Sequence, residues 1–132
     1  MIIVFAAMDS EVGTCFAGAA PAPTQVIDGN PVIESDALIV CRTGIGPRSA
    51  EVAGAVLQRY EASAVLSVGI AGGLAAGLAI GDLIICTHVD RESHRHSGEA
   101  STLFCDASLR REGVDVARAI GLQVSEGSSL TV

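Results

Sequence analysis

A chain of 132 residues is sized for one domain, and 49% hydrophobic residues with a mean hydropathy of +0.49 exclude a disordered segment. A formal charge of −7 excludes the basic surface needed for non-specific nucleic-acid binding, and equally an anionic membrane as partner. With aromatics at only 3% and no Trp, Val, Ile, Leu and Ala must build the core, as in sheets covered on both faces.

"IIVFAA" (2–7) reads as a strand buried on both faces, followed by a polar turn at Asp9-Ser10-Glu11. The apolar run there is too short for a secretory core or a membrane span, and nothing else approaches the roughly 18 apolar residues a span needs. Residues 13–24, rich in Gly, Ala and Pro, read as a loop, and two short strands are expected around Asp28-Gly29-Asn30. "ALIVCRT" (37–43) is a second buried strand. A helix follows "GIG", with Pro47 in its first turn and Ala50, Ala53, Val56, Leu57 and Tyr60 at helical spacing. Residues 63–70 and 81–89 give a third and a fourth buried strand. A polar stretch with His88, His94 and His96 comes next. Asp106 caps a second helix with Leu109, Val116 and Ile120 inward, Gly121 stops it, and "LQVSEGSSLTV" is a final strand.

Strands alternating with helices predict an α/β fold with a largely parallel sheet, in which ligands collect beyond the carboxyl ends of the strands. That rule points at 7–11, 43–48 and 69–73. Gly44 and Gly46 match only part of a dinucleotide loop, since Ser49 stands at the third position, and a tight turn explains them equally. "GIAGGL" (69–74) leads into a new strand by residue 82, so it opens no phosphate-binding helix. It is either a bare-backbone shelf for a planar ligand or a bulge. The short segment from Gly73 to Asp82 also argues against a flavodoxin-like or dinucleotide-binding domain. Glu11 can reach the same cleft and orient or deprotonate water, although an exposed surface glutamate is the simpler expectation for it alone. Cys15, Cys41, Cys86 and Cys105 form no C-x-x-C pair, so free thiols in a reducing cytosol are expected. His88, His94 and His96 with Cys86, Asp90 and Cys105 match no closed zinc spacing, and a solvated loop without metal is expected.

In order and spacing, "FAAMDSEV", "TGIGPRSA" and "SVGIAGGLAAGLAIGDLII" resemble the purine nucleoside/uridine phosphorylase superfamily, most of all its methylthioadenosine/S-adenosylhomocysteine nucleosidase branch. The resemblance covers residues 1–90 well and 106–132 loosely. It implies a three-layer fold with a mixed, mostly parallel central sheet flanked by helices. It also implies cleavage of the N-glycosidic bond of a purine-type nucleoside, no cofactor, a cytoplasmic location and a homo-oligomer. By position, Glu11 matches the acid that readies water. Ile70, Ala71 and Gly72 fall on the backbone lining base and ribose, and Gly44, Ile45 and Gly46 on a loop near the pocket.

Phosphorolytic members place an Arg and a Ser where this chain has Ser67 and Ile70. A phosphate held without a cation loses a contact worth about 1.5–3 kcal/mol, so hydrolysis is favoured, unless Arg42 or Arg48 supplies the charge. Ile70 also departs from the Ser usual in methylthioadenosine nucleosidases, which leaves futalosine hydrolases and hopanoid-associated phosphorylase-like proteins as alternatives. The resemblance further implies a Met-Glu stretch and a base-protonating Asp beyond residue 132. Residues 1–132 are therefore expected to be one incomplete domain without detectable turnover alone, either a fragment or a non-catalytic nucleoside-binding homologue.

Overall fold

The computed structural model describes residues 1–16, 21–91 and 101–131. The chain divides into two compact units, Met1–Gly72 and Gly73–Val132.

In the first unit five strands lie in the order β2-β3-β4-β1-β5: β1 (Ile2–Ala6), β2 (Gln25–Ile27), β3 (Asn30–Glu34), β4 (Leu38–Arg42) and β5 (Ala64–Val68). β4 and β5 flank β1 in parallel, while β2, β3 and β4 run antiparallel. The β2–β3 hairpin closes through Asp28 and Gly29, both at positive φ (50° and 78°), the backbone a tight two-residue turn requires. β1 alternates its side chains between two cores. Ile3 and Phe5 join Ile27, Val32, Ile39, Cys41, Val52 and Val56, whereas Val4 and Ala6 join Val12, Ile33 and Val40. The first cluster is covered by α2 (Arg48–Arg59) and the second includes Val12 of α1 (Asp9–Thr14). Complete burial of Ile3, Ile39, Val52 and Val56 contributes about 1.5–3 kcal/mol per side chain.

The second unit holds three strands in the order β7-β6-β8: β6 (Leu83–Arg91), β7 (Ser101–Phe104) and β8 (Val124–Thr131). β6 pairs antiparallel with β7 and parallel with β8, and the ladder slips between Cys86 and His88. Helix α3 (Ala107–Ala119) packs Gly113 against Ile85, where a Cβ would lie 3.1 Å from Ile85 Cδ1. The Asp106 carboxylate caps α3 by accepting the Ser108 and Leu109 N–H groups, each at 2.9 Å. At the other end Gly121 (φ 81°) turns the chain while the Leu122 N–H donates to Ala117 O, closing a Schellman motif. Among the described residues no helix is long and apolar enough to cross a membrane.

Several expectations shift. Asp9-Ser10-Glu11 begins a short helix rather than a turn, and that helix takes up the start of the expected 13–24 loop. The α2 face buries Val52 with Val56, while Leu57 is 42% exposed: the sheet takes the i, i+4 valine pair and leaves the leucine outside. In α3 the buried residues are Val114 and Ala117, whereas Val116 and Ile120 are exposed. Its inward stripe is made of small residues and the half-buried Arg110, so apolar character misplaces its phase. β5, the last strand of its sheet, is exposed rather than buried, and β6 is only half-buried. β7 emerges where a polar stretch was expected.

Candidate active site

Three parallel strands, β4, β1 and β5, finish together at one edge of the first unit, where Ala6 is level with Arg42 on one side and Val68 on the other. The chain leaves β1 through Ala7 and Met8 into α1, and Glu11 falls in that helix's first turn. Its side chain folds back, as in the reaching arm of a capping box. Oε2 accepts the N–H groups of Ala7 (2.9 Å) and Met8 (3.0 Å), while Oε1 accepts the N–H of Ile70 just past β5 (2.9 Å).

Glu11 is therefore not the exposed glutamate expected of it alone: only 4% of it meets solvent. The Ile70 amide, with those of Met8 and Ala7, holds its carboxyl below the ordinary value of 4.5 although burial pushes the other way. An ionised carboxylate in this position can orient water or face a developing cation, but it is a weak proton acceptor. The close approach depends on Gly69, where a Cβ would stand 2.9 Å from Glu11 Oε1. Sequence reasoning placed Gly69 at the start of the 69–73 cleft but gave it no role; the available signal was a glycine directly after a strand that ends beside an acid.

Of the other expected residues, Ile70 is joined to Glu11 through its amide, while its side chain is 79% exposed. Ala71 and Gly72 follow it, both exposed. Gly44 and Gly46 both take positive φ (75° and 88°) and carry Ile45 between them into solvent. This loop is anchored to β1 by Thr43, whose N–H and hydroxyl both donate to Ala6 O, at 2.8 and 3.3 Å. Arg42, immediately before it, forms an ion pair with Asp9 at 2.8 Å.

The second unit carries hollows of about 260 and 250 Å³ along α3 and β8, lined partly by Arg118, Gln123 and Ser125 and by Arg110, Arg111 and Glu126; neither contains an expected site residue. His88 hydrogen-bonds Thr87 and lies 3.3 Å from Asp90, while His94 and His96 fall outside the described residues. Among the described residues, no three His, Cys, Asp or Glu side chains converge in a way that could hold a metal ion.

Residues 27–132 match the phosphorylase superfamily, and the chain belongs to that family. Its relatives lie in the methylthioadenosine nucleosidase branch. The 5'-methylthioadenosine/S-adenosylhomocysteine nucleosidase of Shewanella loihica is 36% identical over 91 residues, which are 65% of this chain and 40% of that protein. The fold superposes on an S-adenosylhomocysteine nucleosidase of Streptococcus pyogenes, solved with 5-methylthiotubericidin, with a TM-score of 0.84 at 20% identity, covering 99% of this chain and 62% of that one. It also superposes on a futalosine hydrolase of Helicobacter pylori, with a TM-score of 0.83 at 19% identity, covering 98% and 65%. The α/β phosphorylase fold is thus established, and the chain spans less than two thirds of the length of each of these relatives.

Proposed function

We propose that this chain binds a purine-type nucleoside and serves hydrolytic cleavage of its N-glycosidic bond. In that reaction a water oxygen bonds to the anomeric carbon as the carbon–nitrogen bond breaks. The water's proton is released and the base departs protonated. Glu11 orients the water and faces the ribosyl cation; the backbone of Ile70, Ala71 and Gly72 lines base and ribose; the Gly44-Ile45-Gly46 loop borders the pocket.

The observation that carries this is the hydrogen bond from the Ile70 amide to the Glu11 carboxylate, which ties the expected acid to the expected shelf. Membership of the phosphorylase superfamily and the nucleosidase relatives support the reaction class. A second reading is a nucleoside-binding homologue without turnover, in which Glu11, its carboxyl held below the ordinary value by the Ile70 amide, serves only as a fixed charge beside the ligand.

Titration calorimetry of the 132-residue chain with adenine and methylthioadenosine, alongside chromatographic detection of released adenine, tests both. Saturable binding of both compounds is expected, with Glu11→Gln weakening methylthioadenosine several-fold more than adenine. Absence of binding overturns the proposal; release of adenine at ordinary enzyme rates overturns the non-catalytic reading.

A further inference from the structure

Hydrolysis and phosphorolysis differ in the nucleophile, and a phosphate dianion needs a cation to hold it. At the edge where β4, β1 and β5 end, Arg42 is the cation brought level with the last residue of β1. Its guanidinium is not left to an incoming anion: Nη1 meets Asp9 Oδ2 at 2.8 Å. Asp9 opens α1, the helix that leaves this edge from β1, so the carboxylate on the guanidinium is fixed to the same edge. A phosphate arriving there has to displace Asp9 from the guanidinium and do so against the repulsion of that carboxylate. Neutral water meets neither obstacle.

We propose, building on the nucleoside reading above, that Asp9 is a specificity-determining residue that occupies Arg42 and so keeps phosphate out of the site. Asp9 is largely exposed and Arg42 half-buried, so the pair contributes little to holding the fold. Its effect is on the local field: removing the Asp9 charge both frees a fixed guanidinium and takes away a repelling neighbour. Arg48, the first residue of α2, is the competing cation, and the test must separate the two.

Inorganic phosphate is titrated into the 132-residue chain and its variants at constant ionic strength, followed by phosphorus NMR and calorimetry. Asp9→Asn and Asp9→Ala are each expected to bind phosphate at least tenfold more tightly than the unaltered chain. Adding Arg42→Gln should abolish the gain, and adding Arg48→Gln should leave it. Equal phosphate affinity with and without the Asp9 charge overturns the proposal, as does a gain that survives Arg42→Gln or disappears with Arg48→Gln. Adenine is titrated in parallel. Loss of adenine binding with the phosphate gain intact would remove the nucleoside reading while leaving the Asp9–Arg42 selection standing.

Discussion

The Glu11 carboxylate is the buried polar side chain in the described first unit, and glycine at position 69 is what lets it sit there. An alanine Cβ at 69 would meet Oε1 at 2.9 Å, so the carboxylate must swing away from the Ile70 amide. A hydrogen bond to a charged group contributes about 1.5–3 kcal/mol, and Gly69→Ala is expected to cost that order in urea unfolding at pH 7. The pH dependence fixes the cause. Because the folded-state pKa of Glu11 is lowered, its stabilisation is full above the ordinary value of 4.5 and fades as pH falls through the folded value. The gap between the native chain and Gly69→Ala should therefore narrow below pH 4.5. A gap that stays constant down to pH 3 would mean a steric penalty alone. The residue string brought Glu11 and 69–73 to one cleft but could not show these hydrogen bonds, because the partners of Glu11 are main-chain N–H groups, and one of them lies 59 positions away.

Among the elements, strands were read more faithfully than helix faces, for a physical reason. A strand buried on both faces is a continuous apolar run, as in "IIVFA" and "LIVCR", and needs no phase. A helix face depends on which residues fit the neighbouring sheet. In α2 Val52 and Val56, four apart, are fully buried, and Leu57, although more hydrophobic, is turned outward. Val52→Ala is accordingly expected to cost about 2 kcal/mol, the range for removing buried methyl groups. Leu57→Ala should change stability by less than about 0.5 kcal/mol, as exposed positions do. A Leu57→Ala cost exceeding that of Val52→Ala in denaturant titration would place the helix in the phase read from sequence. In α3 the same error has a different origin. Gly113 is inward, where a Cβ would press on Ile85 Cδ1 at 3.1 Å, and Arg110 is inward with its guanidinium 3.4 Å from Glu126. Neither residue registers as apolar. β7 escaped notice because Ser101–Phe104 is short and follows a long polar stretch, and its pairing with β6 decides it.

Over the whole molecule, burial is distributed unevenly, and this sets where the chain should open first. Of the described buried apolar residues, all but Val114 and Ala117 belong to the first unit, where β1 is covered on both faces. The second unit relies on one long ladder between β6 and β8, with Leu103, Phe104, Val116, Ile120 and Leu130 largely exposed. Family membership was readable because its motifs sit at strand ends, where glycines and an acid must recur at fixed places. The imbalance in burial was not, because both halves are similarly rich in Val, Ile and Leu. Opening free energies track local burial, ranging from near zero up to the global value. Native-state hydrogen exchange should therefore find the β1 and β4 amides exchanging only through the largest openings. Amides of β6, β7 and β8 should exchange through smaller ones, at rates at least tenfold faster. A uniform rate across both sets would show that the two sheets unfold as one cooperative body, and that exposed apolar area on β7 and α3 carries no local weakness.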